Sequence, residues 1–170
     1  MTTIQTLVAC SDLTGYAKLT GKLSEEEIFY FLSDYYEFVG DTIAPSGGRV
    51  IKFMGDAALM TFSEVHADSG VRSLLALQGQ GDKFLSNRGI SCRHHIRAHF
   101  GSIQQGELGT RTDKRLDIIG STVNTMFLLK ASEFAITPEA FRKLKPETRK
   151  FFKKHTPPVT YIPLSLSHKD

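Results

Sequence analysis

The chain has 170 residues, 41% hydrophobic and 23% charged, with a formal net charge of +3. That is the length of one domain able to bury a real core, so 1–170 reads as a single domain with no regulatory domain attached. No apolar run of about 18 residues offers a membrane span, no basic-then-apolar leader opens the chain, and so small a charge does not by itself argue for nucleic acid. Cys10 and Cys92 lie far apart in apolar, strand-like contexts, which suits reduced core thiols in a cytoplasmic protein better than a disulfide or a metal site.

Residues 1–4 read as a short tail. Leu7, Val8, Ala9 and Cys10 suit a buried strand, with Asp12-Leu13-Thr14-Gly15 as its exit loop. Backbone N–H groups from Leu13 to Tyr16, in a Gly-containing loop running towards a helix, can cradle a phosphate. Ser24-Glu25-Glu26-Glu27 is a capping box, and Ile28, Phe31, Leu32, Tyr35, Phe38 and Val39 recur at helical spacing to about Ala44. Pro45-Ser46-Gly47-Gly48 stops that helix, whose aromatic stripe suits a core-facing side.

Two apolar runs flank Met54-Gly55-Asp56, predicting a hairpin with Asp56 at its tip. Alternation along the first strand sets Ile51 and Phe53 on one face and Lys52 on the other. Alone, a turn Asp and a strand Lys are ordinary surface residues. Asp12 changes the weighing, because two carboxylates at the ends of neighbouring strands can share a hard cation such as Mg²⁺.

Residues 66–86 predict a helix with Val71, Leu74, Leu75 and Gln78 on one face, although Gly79 and Gly81 weaken its second half. Ser91 to Gly101 reads as a strand ending at Gly101. Its His95 and His99 share a face but stand about 13 Å apart, at roughly 3.3 Å per residue, too far to chelate one ion side by side. Gly106 to Lys114 is a polar loop or projecting hairpin. Asp117 to Gly120 is a strand end, and Ser121 or Thr122 is placed to cap a helix from Val123 to about Ala131. Phe134 to Thr137 is a short strand, Thr137-Pro138-Glu139 opens a helix to Leu144, and Pro158 to Ile162 is the last strand.

From Arg142 to Lys154 there are seven basic residues and one acid, Glu147. A solvated helix face and a polyphosphate contact both fit this stretch. Nucleic-acid binding fits less well, since base-stacking aromatics are lacking beyond Phe151 and Phe152. Strand–helix–strand–strand–helix–strand with further αβ pieces is an α+β, ferredoxin-like βαββαβ pattern with additional C-terminal elements. One sheet would be covered on one face by the helices at 24–44 and 66–86.

Three segments together resemble the class III nucleotidyl cyclases, the adenylyl and guanylyl cyclase catalytic domain. They are Asp12-Leu13-Thr14-Gly15-Tyr16, then Gly47-Gly48-Arg49-Val50-Ile51-Lys52-Phe53-Met54-Gly55-Asp56, then Asp117-Ile118-Ile119-Gly120-Ser121-Thr122-Val123-Asn124. They occur in the family's order and spacing, and the likeness covers about residues 5–165. The resemblance implies that Asp12 and Asp56, with the Leu13 carbonyl, hold two Mg²⁺ or Mn²⁺ ions per site. Thr14, Gly15 and Tyr16 would face the phosphates, and Lys153, just before the last strand, would reach the triphosphate. Lys52 and Asp117 match a base-reading pair whose donor and acceptor suit adenine, so ATP is expected before GTP. Asn124 matches the residue that orients the ribose. The resemblance also implies a head-to-tail homodimer, with metal carboxylates from one protomer and base pair and Asn from the other, and an arm at 106–114 gripping the partner. One position departs. The family has an Arg one helical turn after the Asn, and here that position is Leu128.

Overall fold

The structure is a computed structural model describing residues 1–130 and 133–166; Ala131, the expected end of one helix, lies outside the described residues. In order, the elements are β1 (Thr2–Thr14), α1 (Tyr16–Thr20), α2 (Glu25–Ile43), β2 (Gly48–Met54), β3 (Ala57–Ser63) and α3 (Ala67–Ser86). Then come β4 (Arg93–Gly109), β5 (Lys114–Ile119), α4 (Ser121–Leu128), β6 (Phe134–Ile136), α5 (Pro138–Arg142), α6 (Pro146–Arg149), β7 (Phe152–His155) and β8 (Thr160–Pro163). The sheet runs β2-β3-β1-β4-β6-β8-β7, with β5 paired to β4. Its first four strands in this order, with α2 and α3, form the ferredoxin-like core expected from the sequence.

α2 starts where its capping box says it should. Ser24 Oγ accepts from the Glu27 N–H, and Glu27 returns a bond to the Ser24 N–H at 2.7 Å. Phe31, Tyr35, Val39 and Ile43 are its buried side. With Val71, Leu74, Leu77 and Leu85 of α3, they pack on Leu7, Ala9, Met60, Phe62, Ile96 and Ala98 of the sheet. Each fully buried side chain of this size contributes about 1.5–3 kcal/mol of transfer free energy. The buried face of α3 continues through Leu77, Gly81 and Leu85 and not through Gln78.

Gly81 is there for clearance. A Cβ on it would lie 2.3 Å from Cε1 of His94. His94 is wedged in place by hydrogen bonds to the Tyr35 hydroxyl and to Asp82, both at 3.0 Å. Helix propensity alone would make Gly81→Ala stabilising by about 1 kcal/mol. Contact with a fixed ring outweighs that, and the variant is expected to lose about 1–3 kcal/mol in urea unfolding. A gain in stability would show that His94 can move aside.

The opposite face of the sheet carries a smaller cluster, Val8, Cys10, Leu59, Ile103, Ile118, Val123 and Met126, roofed by α4. Several sequence expectations change here. Thr2–Ile4 are no tail but pair with Ile103–Gln105, because β4 is long enough to receive them. β1 likewise continues through Asp12 to Thr14, opposite His95 to Arg93, so these residues are strand and not exit loop. β4 does not end at Gly101 but runs on to Gly109 and turns back through β5 as a projecting hairpin. Neither Ser121 nor Thr122 caps α4. Its N-cap is Gly120, while Thr122 Oγ1 donates to the Ser102 carbonyl at 2.6 Å, and the helix ends at Leu128. A bulge between Val50 and Lys52 breaks the alternation of β2. Phe53 faces the main cluster and Ile51 the smaller one, so the two lie on opposite faces.

Candidate active site

The hairpin β2–β3 delivers Asp56 to the end of β1. The turn is two residues, with Gly55 at φ 64, a conformation that glycine adopts at low cost. Tyr36 of α2 stacks on Phe53 with ring centroids 3.7 Å apart and donates to the Gly55 carbonyl at 2.6 Å, which pins the tip to the helix. Asp56 Oδ2 then accepts the Leu13 N–H at 2.8 Å. A carboxylate from position 56 is thereby bonded to the residue that follows Asp12.

Asp12 points to the same face as the smaller cluster. Oδ1 contacts His95 Nδ1 at 3.1 Å, and Oδ2 accepts from Arg97 Nη2 at 3.1 Å. Burial works against its charge, but the His95 hydrogen bond and the charges of His95 and Arg97 outweigh burial and hold the carboxyl below the ordinary Asp range. Asp56 moves the other way. Burial raises it, the Asp12 charge adds to that, and hydrogen bonds from the Leu13 N–H and its own N–H only partly compensate. A cation between the two carboxylates would relieve that repulsion.

The donor set therefore fits a hard divalent ion. Among the described residues no three His, Cys, Asp or Glu side chains converge as a cage. Mg²⁺ ordinarily takes one or two carboxylates and completes its shell with water and substrate phosphates, which is what two aspartates leave room for.

Lys52 and Asp117 meet although 65 positions apart, Nζ donating to Oδ2 at 2.7 Å. Burial opposes the Asp117 charge, yet the Lys52 bond, the Ile118 N–H and the Lys52 charge keep it below the ordinary range. The pair lines a cleft of about 550 Å³ between β2 and the β4–β5 hairpin, with Ile51, Leu108 and Arg115 among its walls. Asn124 and Leu128 lie on the exposed side of α4, one turn apart, and Leu128 is 79% exposed.

Three expected site residues, Lys153, Leu13 and Thr14, lie in strands. Lys153 does precede the last strand, β8. It lies within β7, at the sheet edge opposite β2, and β4, β6 and β8 separate it from β1. Its Nζ donates to the Leu164 carbonyl at 3.4 Å. The basic stretch around it is not one helix face but spans the end of α5, then α6 and β7, where Lys143 pairs with Glu64 at 2.7 Å. At the phosphate loop, Leu13 and Thr14 are strand residues, and the Leu13 N–H already serves Asp56. Thr14, Gly15 and Tyr16 follow directly, with Gly15 at φ 84 turning the chain into α1.

His95 and Arg97 are the site residues that sequence reasoning passed over. The alternation that set His95 and His99 on one face also put Arg97 between them. What it lacked was the register, Asp12 opposite His95, that turns this face towards the carboxylate.

No protein-family model matches the chain. It is 28% identical over 127 residues to an adenylate cyclase of Anabaena cylindrica, covering 70% of this chain and 25% of that protein. The curated relatives it matches are much longer, and the chain spans about a quarter of their length or less in most of them. A bacterial light-regulated adenylyl cyclase superposes with a TM-score of 0.83 at 19% identity, over 99% of this chain and 55% of that one. The guanylate cyclase domain of RhGC from Catenaria anguillulae, in complex with GTP, superposes with a TM-score of 0.79 at 19% identity, over 91% of this chain and 88% of that one. The fold is that of the class III nucleotidyl cyclase catalytic domain. In sequence, the chain is similar to adenylate cyclases.

Proposed function

We propose that this chain is an adenylyl cyclase catalytic domain, converting ATP to cyclic AMP and pyrophosphate across a head-to-tail homodimer. The observation that carries it is the Lys52–Asp117 pair, an amine donor and a carboxylate acceptor side by side in a cleft wide enough for a base. An adenine edge offers a ring-nitrogen acceptor and an exocyclic amine donor, the complement of that pair. Asp12 and Asp56, with the Leu13 carbonyl, are the residues that would hold divalent ions. When bound, Mg²⁺ or Mn²⁺ supplies the Lewis acidity that activates the ribose 3′-hydroxyl and neutralises the triphosphate. Asn124 orients the ribose so that the hydroxyl lies in line with the α-phosphorus, Thr14, Gly15 and Tyr16 contact the phosphates, and Lys153, remote from β1 within one protomer, would reach them from the partner copy. In the dimer the partner copy completes each site, with carboxylates from one protomer and Lys52, Asp117 and Asn124 from the other.

A second reading rests on Leu128. With an exposed leucine where the family has a charge-stabilising Arg, the first reading is a slow cyclase, and the second is a catalytically silent nucleotide-binding or dimerisation module that partners another cyclase chain. Turnover of ATP and of GTP, each in Mg²⁺ and then Mn²⁺, separates the two, because both predict metal–nucleotide binding and only one predicts product. Base choice has its own test. Lys52→Glu with Asp117→Cys exchanges donor and acceptor at the base edge, and the ATP:GTP ratio of kcat/KM is expected to fall at least tenfold, about 1.4 kcal/mol or more of discrimination. An unaltered ratio in a folded double variant would remove this pair from base recognition.

A further inference from the structure

Arg97 has no part in the chemistry proposed above, yet it is built into the middle of the site. On β4 it stands opposite Cys10 and diagonal to Asp12, on the face that α4 covers. Its side chain is only 15% exposed. Nη2 donates to Asp12 Oδ2 at 3.1 Å, and Nη1 donates at 2.9 Å to the carbonyl of Phe127, in the last turn of α4. Nε is buried and has no hydrogen-bond partner of ordinary geometry among the described residues, the Cys10 thiol opposite being its polar neighbour. A nearly buried guanidinium with a donor left over is expensive to keep for structural reasons alone, and a stable fold would rather fill the place with an apolar side chain. What the arrangement does supply is a fixed positive charge beside the Asp12 carboxylate.

That charge competes with any ion the two aspartates would hold. A divalent ion sits about 2.1 Å from a carboxylate oxygen. The guanidinium nitrogen is already 3.1 Å from Asp12 Oδ2, so both cations would lie within a few ångströms of each other. His95 contacts Oδ1 of the same carboxylate, so each oxygen of Asp12 already has one hydrogen-bonding neighbour. We propose that Arg97 is the resident counter-ion of Asp12 and sets the affinity of the site for divalent cations. The ion takes full hold of Asp12 as Nη2 leaves Oδ2, and the Phe127 carbonyl keeps the displaced guanidinium close by. This rests on the metal assignment of Asp12 and Asp56 made above.

The test is titration of the full chain with Mn²⁺ alone, free ion being followed by its electron paramagnetic resonance signal. Arg97→Gln removes the charge and is expected to tighten binding about tenfold, the effect of lifting one unit of repulsion at this range. Arg97→Lys keeps a positive charge and is expected to stay near wild type. Asp56→Asn, in either background, should weaken binding. Wild-type affinity in Arg97→Gln, with Asp56→Asn still weaker, overturns the role of Arg97 and leaves the metal assignment standing. Undetectable Mn²⁺ binding in both wild type and Arg97→Gln overturns both. Should Arg97→Gln fail to fold by circular dichroism, the wild type itself decides by proton exchange at the arginine side-chain N–H groups. Faster exchange at Arg97 on saturation with Mg²⁺ supports displacement, and unchanged exchange overturns it.

Discussion

Leu128→Arg is expected to raise kcat by about 10²-fold while changing KM much less. One preorganised donor aimed at developing charge is typically worth about 10²–10³ in rate, or roughly 3–4 kcal/mol of transition-state stabilisation. Leucine offers no hydrogen bond. On the proposed assignment ground-state binding depends on other groups, the carboxylates, the loop after Asp12 and the Lys52–Asp117 pair, so KM should be largely spared. Leu128 is 79% exposed, and the substitution therefore removes no core packing that could confuse the result. It shares the exposed side of α4 with Asn124, so an Arg there starts from the same face as the residue proposed to orient the ribose. High wild-type turnover that falls on introducing Arg would mean that another cation already serves. The sequence offers Arg115, Lys130, Lys153 and Lys154 for that role, and the structure adds Arg97, whose Nη1 is bonded to the residue before Leu128. If neither wild type nor Leu128→Arg makes cyclic nucleotide in Mn²⁺, the silent-module reading takes the lead.

Asp56→Asn is expected to abolish Mn²⁺-dependent ATP binding, measured by calorimetry, with little loss of stability. The amide keeps an oxygen that can accept the Leu13 N–H, now 2.8 Å from Asp56 Oδ2, so the hairpin tip stays attached while the charge is lost. Unchanged Mn²⁺–ATP affinity would leave the hairpin with a purely structural role. Alanine at Asp12 is a less clean experiment than the motif alone suggests. It would strand Arg97, a charge only 15% exposed, without its carboxylate. Breaking a fully buried pair from one side commonly costs about 3–5 kcal/mol, and this part-buried pair, with Asp12 33% exposed, should cost less. Asp12→Ala is thus expected to lower stability as well as binding, and Asp12→Asn is the better comparison.

Much of this architecture is written in local pattern. The capping box at Ser24, the three-to-four spacing behind it and the apolar runs on either side of Gly55-Asp56 all act within a few residues. They depend on hydrogen bonds and turn preferences that need no distant partner. The three motifs likewise single out Asp12, Asp56, Lys52, Asp117 and Asn124 as candidates. The pairing of those residues was decided by the fold. Lys52 meets Asp117 because the β4–β5 hairpin reaches back beside β2, and β4 passes Gly101 because its partner β1 extends to Thr2. A strand's length is set by what pairs with it, which local propensity does not encode. The bulge at Ile51 shows the same limit, since one unpaired residue reverses which face its neighbours take. Arg97 is the clearest case. Alternation alone puts it on a strand face, but only the register of β1 against β4 and the end of α4 above them place its guanidinium between Asp12 and Phe127. Electrostatic energy depends on distance through space, and three elements far apart in sequence had to meet before that distance existed.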